Sequence, residues 1–263
     1  MDIQSLFSVK DKVVLVTGGS RGIGLMIAQG FVANGAKVYI SSRKASVCDK
    51  VAQELNRRGP GQCISLPADL QDANDIKRLV AAIAEREPRG IHVLVNNAGA
   101  NWGESIDQYS DDAFDKVLTL NVRRIFTLSQ LSLPLLEKAA TVQDPARIIN
   151  IGSIDGIRVP ALETYAYSAS KAAVHHMSRV LAAQLGKRHI TVNAIAPGPF
   201  PSKMMDATLE KFHDHIVSGV PLGRVGQPRD MAGVCVYLAS PAGAYVTGAL
   251  IAVDGGSAVS AKL

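Results

Sequence analysis

Val13-Val14-Leu15-Val16-Thr17-Gly18-Gly19-Ser20-Arg21-Gly22-Ile23-Gly24 is a run of four apolar residues that ends in a glycine-rich turn. A short apolar run closed by glycines reads as a buried strand followed by a turn. Residues 23–32 carry apolar positions at helical spacing, and Asn34-Gly35 supplies a stop. The same rhythm continues along the chain. Further strands are expected over 37–41, 63–66, 92–96, 147–151, 191–195 and 250–253, and further helices over 45–58, 72–87, 111–139, 165–185 and 228–239. Strands too apolar to face water, alternating with helices, predict a single α/β domain with a doubly wound parallel sheet of about seven strands and helices on both faces. The stretch 198–226 breaks the rhythm. It is punctuated by Pro and Gly and follows a strand end, where a substrate-covering loop belongs.

Composition narrows the function classes. The 263 residues are 47% hydrophobic and 19% charged, an ordinary globular balance. The net charge is +5, but the basic residues are scattered with no run of five, which argues against a nucleic-acid partner. A modest positive field also suits a phosphorylated small molecule. Cys48, Cys63 and Cys235 are odd in number and lack metal-type spacing, so neither a disulfide framework nor a cysteine metal site is expected, and a reducing compartment fits. Residues 1–12 show no apolar signal core, and no stretch has the apolar length that spans a bilayer; no membrane partner is expected. His213 and His215 form a pair without a third ligand nearby, so no metal is assigned.

The glycine turn carries chemistry. Gly18, Gly22 and Gly24 let the backbone approach a pyrophosphate, and the helix opening at Ile23 presents unpaired N–H groups and a favourable dipole. The second strand predicts which dinucleotide binds. Sites for the unphosphorylated cofactor place an acid near its end for the ribose hydroxyl. Here the strand ends Ser41-Ser42-Arg43-Lys44 with no acid from Lys37 to Val47. Arg43 and Arg21 instead suit a 2′-phosphate through charge-assisted bonds, so NADP(H) is expected. On the helix over 165–185, Tyr167 and Lys171 stand four apart and share a face. An ammonium beside a phenol is expected to lower the tyrosine pKa and make it a proton donor or acceptor. Ser153, just beyond the strand over 147–151, is placed to hydrogen-bond a substrate oxygen. Tyr165 has no lysine at the fourth position and is set aside.

These motifs together resemble the short-chain dehydrogenase/reductase family over nearly the whole chain. The glycine loop Thr17 to Gly24, Asp69-Leu70, Asn96-Asn97-Ala98-Gly99, Asn121, Ser153, Tyr167 with Lys171, Pro197-Gly198 and Val253-Asp254-Gly255-Gly256 fall in the family's order. The resemblance implies a Rossmann-type fold and a catalytic set of Asn121, Ser153, Tyr167 and Lys171. It implies cofactor contacts from Gly18, Ser20, Arg21, Gly22, Ile23, Gly24, Ser42, Arg43, Asp69, Leu70, Asn97, Ala98, Gly99, Tyr167, Lys171, Pro197, Gly198 and Ser202. Lys171 would also hold the nicotinamide ribose, and Asn121 would bind a water linking Lys171 to solvent. Ser202 stands where the family often has threonine and keeps a hydroxyl for the carboxamide. Within the family the nearest likeness is to the NADPH-dependent 3-oxoacyl reductases, notably the type tied to rhamnolipid synthesis. This implies reduction of a 3-oxoacyl thioester or similar ketone. The alternatives are a dehydrogenase of a polyol, steroid or other secondary alcohol, and a non-catalytic cofactor-binding protein on the same fold. A homo-oligomer, tetramer or dimer, is also implied. Trp102, Phe200, Met204 and Met205 are candidates for an apolar pocket wall, with ordinary core as the other reading. Ala261-Lys262-Leu263, ending the tail 257–263, resembles a peroxisomal address; the expected location is the peroxisome in a eukaryote and the cytoplasm otherwise.

Overall fold

Side chains alternate across a strand, and this alternation divides the core in two. In β1 (Val13–Thr17), Val14 and Val16 join one apolar cluster while Val13 and Leu15 join another on the opposite face. The computed structural model describes residues 2–203 and 205–260, with the backbone alone at 206–209. Beside β1 lie β2 (Lys37–Ser41), β3 (Gln62–Ser65), β4 (Val93–Asn96), β5 (Ala146–Ile151), β6 (Ile190–Pro197) and β7 (Leu250–Val253). They form one seven-stranded sheet in the order β3-β2-β1-β4-β5-β6-β7, parallel at every pairing.

Helices cover both faces. On the first face α2 (Gly22–Ala33) packs against α9 (Pro228–Ala239), with α3 (Ala45–Asn56) beside them. The α2–α9 contact is close because Gly30 lacks a side chain: a Cβ there would stand 2.5 Å from the Ala232 Cβ. The second face is covered by α4 (Ala73–Arg86), α6 (Arg124–Ala139) and α7 (Tyr165–Leu185). Local signals set several helix starts. Asp72 accepts from Asn74 N at 2.8 Å, and Ser110 caps α5 (Asp111–Leu118), which carries Asp111 and Asp112 in its first turn. Strand order reverses between β1 and β4, and the chain leaves the two in opposite directions. A crevice therefore opens at the carboxyl ends of the sheet.

Several expectations need correction. The stretch 198–226 is not loop throughout, because α8 (Asp206–Ser218) lies within it. Its Pro and Gly residues fall on either side of that segment, which itself contains none. The helix expected over 111–139 is broken into α5, a π-helical turn at Thr119–Arg123, and α6. A short α1 (Ile3–Leu6), capped by Asp2, precedes the first strand. Met204 and Ala261-Lys262-Leu263 lie outside the described residues.

Candidate active site

Every expected cofactor or catalytic residue outside the helices lies at or just past the carboxyl end of a strand, from β1 to β6. The β1 and β4 turns are tied together by Thr17. Its hydroxyl donates to Val95 O at 3.2 Å and accepts from Asn97 N at 2.9 Å and Ala98 N at 3.1 Å. Asn97 returns a bond from Nδ2 to Thr17 O at 2.8 Å. Gly18 (φ +65) and Gly22 (φ +52) adopt left-handed backbone that favours glycine. A Cβ on Gly24 would stand 2.3 Å from Gly18 O, so the third glycine serves the fold of the turn itself. Arg21 caps α2 with extended backbone and no side-chain bond, leaving the helix N–H groups directed at the crevice. Ser202 faces Gly22 across it, 3.0 Å from where a Cβ would be.

The donor set fits a dinucleotide with a 2′-phosphate. Ser20 Oγ and Ser42 Oγ lie 2.8 Å apart, joining the glycine turn to the end of β2. Arg21 and Arg43 beside them are exposed and make no ion pair among the described residues. Asp69 is turned inward to its own loop, accepting from Gln71 N at 3.0 Å, and Leu70 is buried. Ile23 packs against the core as it opens α2. Gly198, after Pro197, is needed for packing: a Cβ there would meet Asp254 Cα at 2.7 Å.

The catalytic candidates converge on the amino half of α7. Lys171 is buried, and its Nζ donates to Ile151 O at 2.8 Å. That nitrogen lies 5.5 Å from the Tyr167 ring centroid. Gly99 lets this cluster close, since its missing Cβ would be 3.1 Å from Asn121 Oδ1 and 3.7 Å from Lys171 Nζ. Ser153 caps the 3-10 turn Ile154–Gly156, its Oγ accepting from Asp155 N at 3.1 Å. Asn121, fully buried in the π turn, bonds protein partners through both ends of its side-chain amide. Oδ1 accepts from Ala100 N at 2.8 Å, while Nδ2 donates to Ala100 O at 2.9 Å and to Ser170 Oγ at 3.0 Å. Such π turns frequently mark functional sites.

Electrostatics correct one expectation. The Tyr167 phenol is not lowered; burial pushes it up to about 12, with the Ser153 hydroxyl opposing and Asp155 adding in the same sense as burial. Burial also brings the Lys171 ammonium down to about 8. Desolvation disfavours the charged form of each group and leads in both. Like an ordinary phenol, Tyr167 is protonated at neutral pH, the form a proton donor requires.

Other candidates sort plainly. Phe200 is 2% exposed and packs on Gly226 within the core, so it is not a pocket wall, whereas Trp102 stays 44% exposed. Met205 is half-buried. His213 pairs with the neighbouring Asp214 at 3.1 Å, and no metal-ligating cluster occurs among the described residues. Tyr165 is exposed and donates to Glu163. Sequence reasoning missed Thr17 as an organiser and Ser170 as the support of Asn121. It also missed a buried chain in which Asn96 donates to Ser129 and Asn150, and Asn150 to Ser178. Isolated Ser and Asn residues carry no pattern that reports such pairing.

Known proteins share this layout. A family model described as enoyl-(acyl carrier protein) reductase matches residues 18–258. The chain is 45% identical to the rhamnolipids biosynthesis 3-oxoacyl-[acyl-carrier-protein] reductase of Pseudomonas aeruginosa, covering 95% of this chain and 97% of that one. It is 39% identical to the short-chain dehydrogenase/reductase PhomF of Diaporthe leptostromiformis, over 95% of this chain and 92% of the relative. The solved structure of Pseudomonas aeruginosa RhlG in an NADP active-site complex superposes with a TM-score of 0.93 at 43% identity, covering 97% and 99% of the two chains.

Proposed function

Because the chain belongs to the short-chain dehydrogenase/reductase family, we propose that it is an NADPH-dependent reductase that converts a 3-oxoacyl thioester or similar ketone to the secondary alcohol. The observation that carries this reading is the convergence of Ser153, Tyr167 and Lys171 beside the glycine turn. NADPH, when bound, supplies the hydride. Tyr167 donates its phenolic proton to the ketone oxygen, so that hydride and proton together complete the alcohol. Ser153 holds that oxygen through its hydroxyl as negative charge develops. Lys171, anchored by Ile151 O, places a cation near the phenol that has lost its proton and favours that step. Ser20, Ser42, Arg21 and Arg43 would receive the 2′-phosphate, which separates NADPH from NADH.

The thioester part of the reading is supported by likeness to the rhamnolipid-linked reductase and by apolar side chains exposed around the crevice, including Trp102, Ile157 and Leu162. It is tested by following NADPH oxidation with 3-oxoacyl thioesters of increasing chain length beside cyclic ketones and sugars. Turnover of a thioester is expected. Turnover of cyclic ketones or sugars with none of any thioester overturns it. The reading includes a homo-oligomer, supported by Phe126 on α6 and Val180 on α7, which leave apolar surface exposed. A monomer in sedimentation at micromolar concentration would refute that part.

A further inference from the structure

We infer that His175 is a positioning residue for Ser153, its imidazole lying beneath the Gly152–Gly156 turn and fixing where the serine hydroxyl points. This rests on the reading of Ser153 as the residue that holds the substrate oxygen. His175 stands on α7 four residues beyond Lys171 and eight beyond Tyr167, and so shares their face. It is 6% exposed. Nε2 accepts from Ser153 N at 3.4 Å, a long bond, and the ring also bonds the Gly156 backbone.

The two glycines show how closely the turn lies on the ring. A Cβ on Gly152 would stand 2.1 Å from His175 Nε2, and one on Gly156 would stand 2.8 Å from Cε1. Gly152 thus lies directly against the ring, while Gly156 seats the turn on both the ring and the α7 backbone, where its Cβ would stand 2.7 Å from Lys171 C and Ala172 N. With Ser153 N held from below and Ser153 Oγ accepting from Asp155 N, the hydroxyl is referenced to α7, the helix that carries Tyr167 and Lys171. An accepting Nε2 requires a neutral ring with its proton on Nδ1. Burial and the nearby Lys171 ammonium both favour the neutral form. An apolar side chain of similar size would fill the space without supplying the acceptor.

A double-mutant cycle separates positioning from mere packing. His175→Leu is expected to lower kcat by about 10- to 100-fold, the scale of a small misplacement of a reacting group, with KM for NADPH unchanged. His175→Gln, which keeps an acceptor, is expected to recover most of that loss. In a Ser153→Ala background, His175→Leu is expected to cost nothing further. Equal losses in both backgrounds, or a Gln variant no better than Leu, overturn the inference. Full turnover in His175→Leu beside an inactive Ser153→Ala overturns it while leaving the proposed function intact. Full turnover in Ser153→Ala alone overturns the catalytic reading of Ser153 and this inference with it. If His175→Leu does not fold, His175→Asn, too short to reach Ser153 N, takes its place in the same cycle.

Discussion

The two ends of the parallel sheet bury charge in opposite ways. At the amino ends, Lys12 and Arg147 are both nearly inaccessible, and both reach the carboxylate of Asp144. Arg147 also donates to Leu238 O at 3.4 Å and Ser240 O at 3.0 Å. At the carboxyl ends, Lys171 is as deeply buried but bonds a neutral carbonyl and has no carboxylate partner among the described residues. Burial disfavours the charged lysine in each case. Asp144 counteracts this at the amino end, whereas at the other end the ammonium falls to about 8. A histidine also sits at each end as a neutral acceptor: His92 Nδ1 takes Val13 N at 3.0 Å, and His175 Nε2 takes Ser153 N. Buried charge that is paired secures a fold. Buried charge left without a counter-ion remains available to a ligand or a proton.

The largest expected effect is at the unpaired end. Tyr167→Phe should lower turnover by about 100-fold or more, since it removes the general acid, while NADPH binding measured by fluorescence persists. Tyr165→Phe should stay near the unaltered rate. The reverse pattern would show that the wrong tyrosine has been assigned.

Breaking the paired end should change stability and spare chemistry. Asp144→Ala leaves two buried cations without their carboxylate. The expected cost is about 2 kcal/mol, below the full penalty for a broken buried pair because the Asp144 side chain is 43% exposed. Urea unfolding reads the loss, and kcat should remain within about twofold at temperatures where the variant is folded. A large fall in kcat without a stability change would erase the distinction between the two ends.

A smaller effect is expected at the cofactor rim. Arg43→Ala removes an exposed cation and should weaken NADPH by about tenfold, the scale of one hydrogen bond to a charged group, and leave NADH nearly unaffected. Isothermal titration with each cofactor checks this. Parallel losses for both would mean that Arg43 does not meet the 2′-phosphate.

A further effect is a pH slope shared by the two histidines. Burial holds His175 at about 4 and also lowers His92 from the ordinary 6.5. Between those values the unfolded chain binds protons that the folded chain does not. The His175 contribution is therefore complete above about pH 6.5 and is lost as the pH falls toward about 4, and that of His92 is lost in the same direction. Asp144, held below the ordinary carboxylate range, starts to lose its own contribution only at lower pH. Urea midpoints should decline from pH 7 to 4.5, less steeply in His175→Gln and in His92→Gln. A midpoint independent of pH in the unaltered protein would contradict the neutral assignment of both rings.

Legibility followed the kind of signal involved. The helix 165–185 and the strand 250–253 were readable to the residue because apolar spacing and flanking turn residues are local. The π turn at Asn121 was not, since no local pattern distinguishes it from continuous helix; the pull of the Asn121 amide toward Ala100 and Ser170 comes from distant chain. Helix α8 was hidden by the Pro and Gly residues on either side of it.

From the sequence alone came the parallel α/β sheet, the order of the glycine turn, Ser153, Tyr167 and Lys171 along it, and the basic rim at Arg21 and Arg43. These depend on periodicity and on residue type at short spacing, both of which are written in the chain. Only the tertiary structure decided that Phe200 is core, that the Asn121 side chain serves the scaffold, that Tyr167 is raised and not lowered, and that His175 lies under Ser153. Each of those turns on desolvation or on a contact between segments far apart in sequence. Neither quantity exists until the chain is folded, because burial is a property of the whole packed molecule and not of any stretch of it.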